Sequence, residues 1–506
     1  MDQQSAPVIV GVGQVRRRPD LDGEFEAIEP ARMMVEALDR AAIDAGDQTL
    51  AKQADYVGTV APLAWGYADT PSVLAEMLGV GPGLRHEPKP GGNSPIELLQ
   101  HAIDAIESDD AHVAVLAGAE SIHARQQALK RGVSLSHWSP EADPPVDVML
   151  RGQPPITTPL ELRHGFALPA DIFPLYENAI RAHRKRSIEE HQAVLGRMMS
   201  RFSATAAKNP YAWFPEERGA DEYTTVNASN RWVNFPYPKL MNAIIVVDMA
   251  AALIVMSNAE ADRRGIAPEK RVAVLSGATA LDPWTPIERR QFFASPGCAA
   301  ASNAALEHAA LDSSDVDLFD LYSCFPCAVE WAADGLGIEL DDPRPLSVTG
   351  GLACAGGPGN NYATHAIAAM VDRIRSGDGS VGFVSGLGMS GSKHAACTLS
   401  NDPARIDAAS GRASRVQPAE AELVGPEVVE KPEGLARIET YTVAFDRQNQ
   451  PITSRLIVRL DDGRRSVALG EARPEAFARL IEHEGVGLRG RLSPGRGDDP
   501  NLFELI

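Results

Sequence analysis

The chain has 506 residues, 44% of them apolar and 23% charged, which is material for about two to four folding units of ~100–200 residues each. Its 48 Lys and Arg against 68 Asp and Glu give a net charge of −20, which argues against non-specific nucleic-acid binding through a basic surface. No apolar run reaches the ~18 residues of a membrane span, and five cysteines make no disulfide framework. Met1–Ser5 run straight into an apolar strand rather than into a secretory signal, so the expected location is cytoplasmic.

In chain order, the first predicted strand is Val8–Gln14, followed by Ala54–Val60 and Val113–Glu120. Each has a later echo: Val272–Thr279, Asp317–Tyr322 and Val381–Gly388. Val8 to Ala54 spans 46 positions and Val272 to Asp317 spans 45, so the pattern is an internal repeat. Helical periodicity fills the intervals. Ser94–Ile106 begins with a candidate N-cap, Ser94, and Pro95 at the first helical position; its counterpart is Tyr362–Ile374. Strands alternating with helices predict a duplicated α/β fold with buried sheets.

Residues ~125–240 interrupt the first copy. They are rich in proline and carry a helical run over Phe173–Ala207, the pattern of a functional insertion folded over a core. Residues 402–432 form a linker or wrapping segment rich in Ala, Pro, Glu and Ser. Alternating strands follow at Ala436–Phe445, Ser454–Leu460 and Arg465–Leu469, with a hairpin turn at Asp462-Gly463, then a helix over Pro474–His483 and a last strand over Val486–Leu492. The expected domains are therefore 1–268, including the insertion, then 269–401, the linker, and a β-rich domain over 433–506. From 435 onward there are 11 Arg, no Lys and 11 acids, so this small barrel-like domain has no basic excess to attract phosphates. Packing on the body or on a partner is the plainer use for it.

Four segments carry a resemblance. Val113–Ser121 resembles the strand-turn of thiolases, and Gly350–Pro358 resembles their glycine loop. Arg201–Ala212 resembles the loop-domain helix of sterol-carrier-type thiolases, and Tyr322–Phe325 resembles their His-Asp-Cys-Phe segment. They occur in order over about 1–400. The β-domain behind them, together with Phe235–Met241 and Lys393-His394, resembles the thiolase-like proteins type 1. This resemblance implies a duplicated thiolase fold: two βαβαβαββ halves layered α/β/α/β/α, an inserted loop domain and a small OB-like barrel at the C-terminus. It implies an acetyl-CoA acetyltransferase-like protein of lipid metabolism, a homodimer or monomer. Coenzyme A thioester would be its substrate or ligand, with no cofactor and no metal.

The family's chemistry needs a nucleophilic Cys at a helix N-terminus, where the thiolate is favoured. By alignment that Cys falls on Gly92, the activating His on Gly357, the second Cys on Gly386, and the remaining Asn or His on Tyr322. What is left are backbone N–H groups at Gly92 and Gly388 as oxyanion donors, and Tyr322, His365 and His394 for proton transfer. Each has a structural alternative: Tyr322 ends a buried strand, His365 lies on an apolar helix face, and Lys393-His394 can anchor a loop. Arg184 and Arg186, in the run Arg181–Arg186, are placed to meet CoA phosphates or to form a solvated helix face. Cys354 and the Cys324-x-x-Cys327 pair read better as packing residues than as a nucleophile or redox site. The expected function is carbon–carbon bond chemistry on a CoA thioester without Cys. The alternatives are retro-aldol cleavage of a 3-hydroxyacyl-CoA by Tyr and His, a residual acyl transfer through another nucleophile, and a non-catalytic acyl-CoA or lipid binder.

Overall fold

The computed structural model describes Met1, residues 3–409 and residues 413–506. The N-terminal half contributes strands β1 (Pro7–Arg16), β2 (Tyr56–Val60), β3 (Leu84–His86) and β4 (Ala114–Ser121). The insertion has two short strands of its own, β5 (Trp232–Asn234) and β6 (Tyr237–Pro238), and the half closes with β7 (Asp248–Ser257). The second half has β8 (Val272–Leu281), β9 (Leu318–Asp320), β10 (Val381–Gly388) and β11 (Lys393–Ser400).

The repeat is real in three dimensions. In the first half β2 runs parallel to β4, and β4, β7 and β1 follow antiparallel. In the second, β9 runs parallel to β10, and β10, β11 and β8 follow antiparallel. The halves join where Val8 and Ile9 pair with Ala273 and Val272. Helices Ser94–Glu107 and Tyr362–Arg375 touch each other and strands of both halves, so they form the middle layer. The helix over Pro30–Ala45 packs on strands of the first half and that over Pro296–His308 on strands of the second, within one continuous sheet. These strands read as near-continuous apolar runs because both of their faces are buried.

β1 and β8 meet over so short a stretch that each keeps an edge to be satisfied. On β1, side chains do it: Arg375 donates to the Val10 carbonyl, Asp44 accepts from Val12 N–H, and Arg40 donates to the Gln14 carbonyl. On β8 the linker does it, as strand β12 (Ala413–Arg415) lies parallel to Gly277–Thr279. Residues 410–412 of the expected linker lie outside the described residues.

The helical run expected over Phe173–Ala207 is two helices, Pro169–His183 and Ile188–Ala206. The break falls at Arg184–Ser187, where Lys185 has φ +54° and Ser187 starts a new helix with a capping box to Glu190. The C-terminal strands β13 (Gly434–Phe445), β14 (Pro451–Leu460), β15 (Arg465–Gly470), β16 (Arg489–Ser493) and β17 (Leu502–Leu505) close a five-stranded barrel in the order β13-β14-β15-β17-β16-β13, with β15 and β17 parallel. That is the OB-type order, with a helix over Pro474–Glu482 between β15 and β16. The insertion is tied to it: Asn234 of β5 pairs with Ala444, and buried Arg181 holds Glu484 at 2.7 Å.

Candidate functional site

The centre of the site is the turn that opens the middle-layer helix Ser94–Glu107. Ser94, expected as the N-cap, is the first helical residue; its hydroxyl donates back to the carbonyls of Gly91 at 2.5 Å and Lys89 at 2.9 Å. Asn93 holds the cap position without a capping hydrogen bond. Gly91 has φ +148° and donates its N–H to Asn360 of the second half, 2.9 Å away. Each half thus shapes the other's loop.

Gly92 is glycine because the space beside it is taken. A β-carbon there would lie 2.0 Å from the Tyr322 hydroxyl and 2.5 Å from the Leu387 carbonyl. Across the turn, the Asn93 side-chain oxygen is wedged between Gly91 and Gly388, where β-carbons would fall 2.4 and 2.3 Å from it. Gly92 and Gly388, predicted as backbone donors, are therefore brought to one spot. Asn93 is fully buried, and neither its oxygen nor its nitrogen has a hydrogen-bond partner. A buried amide left this way costs roughly 1–3 kcal/mol, and such groups call for an explanation.

Tyr322 is buried, and burial pushes its phenol far above the ordinary value, so it stays protonated. Its hydroxyl takes no hydrogen bond among the described residues. Its ring meets that of Tyr362 edge-on at 5.5 Å, and the two differ in kind. The Tyr362 hydroxyl is committed to Thr349 at 2.5 Å and to Asp320 at 2.9 Å.

His394 shares with Tyr322 a small void of about 10 Å³, which Ser385 and Cys298 also line. Its Nε2 is 3.1 Å from Asp282 and 3.1 Å from the Ser295 hydroxyl. Asp282 also accepts from Ser295, from Gly297 N–H and from Arg289. Burial works against the charge on Asp282, but the Arg289 guanidinium and the His394 and Ser295 hydrogen bonds outweigh it and hold the carboxyl well below the usual range. Lys393 is buried with its ammonium on the carbonyls of Lys89 and Pro90 and on Gln153, 3.2–3.3 Å away. It ties the Gly91–Asn93 turn to the insertion.

His365 does not line the void. Its Nδ1 faces Gln14 at 2.8 Å, and burial drives it down to about 3, so it is neutral. Arg184 and Arg186 line a separate groove of about 630 Å³ beside the Ile188–Ala206 helix, with Arg197 and Arg201 but also Asp334, Glu339 and Asp341. Arg184 pairs with Asp334 at 2.6 Å, and Arg186 lies 3.6 Å from buried Glu330. The thiols are unbonded. Burial pushes Cys298, Cys324 and Cys397 up to about 12 and Cys354 up to about 11, so none is a thiolate near neutrality.

The sequence reading missed Asn93 as an unpartnered amide and the Asp282–Ser295 support of His394. Asp282 directly follows β8 as a single acid after an apolar run, a faint signal that only its partners make meaningful. No helix among the described residues is long and apolar enough to cross a membrane.

Residues 415–495 match the family model of the thiolase-like protein type 1 additional C-terminal domain. The chain is similar to a monomeric SCP2-thiolase-like protein type 1 from Mycobacterium smegmatis, with 31% identity over 100% of both chains and a TM-score of 0.81. It shares its fold with the Ltp2-ChsH2(DUF35) aldolase at 17% identity and a TM-score of 0.61, over 79% of this chain and 100% of that one. An acetyl-CoA acetyltransferase from Syntrophomonas wolfei aligns at 16% identity and a TM-score of 0.55, over 79% of this chain and 99% of that one. No curated protein matches the chain.

Proposed function

The chain belongs to the thiolase-like proteins type 1 with an additional C-terminal domain, and on that premise we propose that it performs carbon–carbon bond chemistry on a CoA thioester, as retro-aldol cleavage of a 3-hydroxyacyl-CoA. The observation that carries this reading is the Tyr322 hydroxyl standing where the side chain of Gly92 would be, at the N-terminus of the middle-layer helix.

In that reaction a base takes the 3-hydroxyl proton, the C2–C3 bond breaks, and C3 leaves as a carbonyl. The bonding pair becomes the thioester enolate, which is then protonated at C2 to give the shortened acyl-CoA. Backbone N–H groups around Gly92 and Gly388 suit the enolate oxygen. A phenol held protonated suits the donor to C2, and His394, backed by Asp282, suits the base. Arg184 and Arg186 would meet the phosphates of the CoA nucleotide. Acyl transfer finds no support, because desolvation keeps every thiol protonated. That a protein sharing the fold is an aldolase fits the same reading.

A second reading, a non-catalytic acyl-CoA binder, is favoured by one observation: the void at Tyr322 is only about 10 Å³. The test is incubation with 3-hydroxyacyl-CoAs, following the released carbonyl compound and the shortened thioester by mass spectrometry. Turnover that falls ~10²–10⁴-fold in Tyr322→Phe with binding kept supports the reading. Binding without turnover in either protein gives the binder. A covalent acyl adduct on the intact protein after acetyl-CoA or acetoacetyl-CoA overturns both.

A further inference from the structure

We propose that Glu177 and Glu330 share one proton, forming a buried acid–acid latch that fastens the insertion to the body and loosens it as the proton leaves. Glu177 comes from the insertion helix Pro169–His183, and Glu330 from the body helix Pro326–Leu336. Both are fully buried. An oxygen of each, together with Nε2 of His191, lies within 4.8 Å of the others. Neither Glu330 oxygen receives a hydrogen bond from a conventional donor. Two ionised carboxylates so close and so dry repel each other, and one bound proton turns that repulsion into a hydrogen bond.

The surroundings favour a proton over a metal ion. Tyr237 donates to the second Glu177 oxygen at 2.6 Å, and His191 Nε2 sits 2.5 Å from the first. Arg186 faces His191 Nδ1 at 3.5 Å. A guanidinium only donates, so Nδ1 is the acceptor and the imidazole hydrogen is on Nε2, aimed at Glu177. A metal on Nε2 would force Nδ1–H against Arg186. Burial also drives His191 down to about 4, which leaves it neutral. The remaining charges are Arg184 and Arg186, 3.7 and 3.6 Å from Glu330, Asp334, which already holds Arg184, and Arg181, which acts on His191 and is itself held by Glu484. The Cys327 thiol nearby stays protonated. Burial pushes both carboxyls up, and the Glu177 charge raises Glu330 further.

The latch sits on the same two helices that reach the site. Tyr176, next to Glu177, donates to the Ser390 carbonyl at 2.8 Å, in the loop just past Gly388. Its ring packs on Trp331, next to Glu330, at 4.6 Å. Phe173 stacks on Phe325 at 4.6 Å. Losing the proton weakens the insertion's hold on this loop. The bearing of that on access to Tyr322 rests on the reading of Tyr322 above; the latch itself does not.

The sign follows from linkage. The folded protein keeps a proton that unfolded carboxyls release near pH ~4.3. Stability is complete below that value, declines as pH rises toward the latch's own titration, and is then level. Glu330→Gln is neutral at every pH and still donates to Glu177. It should therefore remove about one proton from the pH dependence of unfolding and exceed wild type in stability at alkaline pH. Hydrogen exchange in 169–183 and 386–391 of wild type should quicken from pH 6 to pH 9 beyond the chemical rate, and in the variant it should not. On wild type alone, infrared difference spectra should show a buried protonated carboxyl at neutral pH. The latch is overturned if the variant keeps the wild-type pH slope or is less stable at alkaline pH, if no protonated carboxyl is seen, or if metal analysis finds a stoichiometric divalent ion. Loss of the latch would leave the retro-aldol test untouched, and the reverse also holds.

Discussion

At the N-terminus of the Pro296–His308 helix a buried carboxylate is fully attended: Asp282 takes hydrogen bonds from Arg289, Ser295, His394 and Gly297 N–H. At the N-terminus of the Ser94–Glu107 helix, near the same void, the reverse holds: Asn93 has two unpartnered polar atoms, and the Tyr322 hydroxyl takes no hydrogen bond among the described residues. Both places are buried, polar and close to the join of the two halves. In the first, each charge is answered by another side chain, and the answer holds His394 in place. The second leaves buried polar atoms of Asn93 unanswered, and such losses persist where the groups meet something other than the protein.

That contrast is breakable, and the largest effect should come from the attended cluster. Asp282→Ala leaves the Arg289 guanidinium buried without its carboxylate and should cost roughly 3–5 kcal/mol in denaturant unfolding. Because the Asp282 carboxyl is held low when folded, its contribution is present above pH ~4 and fades as pH falls through the folded value. The gap between wild type and Asp282→Asn should therefore narrow in acid.

Next in size, Gly92→Cys puts a side chain into the Tyr322 hydroxyl and should cost about 1–3 kcal/mol by overpacking. Adding Tyr322→Ala should cost less than the sum of the single changes; strict additivity in the double-mutant cycle would mean that the two do not touch. The tyrosines then separate the two kinds of polar group. Tyr362→Phe removes a donor from Asp320 and should cost about 1 kcal/mol, whereas Tyr322→Phe removes an unanswered hydroxyl and should leave the unfolding midpoint unchanged or slightly raised. Asn93→Ala belongs with Tyr322→Phe at the small end. It deletes no hydrogen bond, so thermal unfolding should shift less than for Asn360→Ala, which releases both Gly91 and the Ala61 carbonyl.

The duplication was plain in the sequence because sheets buried on both faces leave apolar runs, and the matching spacings of Val8–Ala54 and Val272–Asp317 repeat them. The barrel was legible for the opposite reason: its strands alternate, with one face in and one out. The vacated positions Gly92, Gly357 and Gly386 could be read from the order of motifs. What filled the first of them could not, since Tyr322 lies 230 positions further along and meets Gly92 only through the packing of the halves. His365 and His394 looked alike as single histidines on or beside apolar segments; only their partners, Gln14 for one and Asp282 for the other, tell them apart. Glu177 and Glu330 drew no notice, because an acid in a helix is ordinarily a solvent-facing residue and nothing local says which ones turn inward.

The short strand β12 has a consequence for anyone who would divide the molecule. It is hydrogen-bonded into the body's sheet, yet the sequence family of the barrel begins at residue 415, inside it. A cut at that natural-looking seam strips the cap from the edge of β8 and leaves Gly277–Thr279 open to the next strand that passes. A body fragment ending near residue 401 should therefore be sticky in solution, and one carried past Val416, whose N–H still bonds the Thr279 carbonyl, should be much less so. The two parts share a border, and the border is itself a piece of structure.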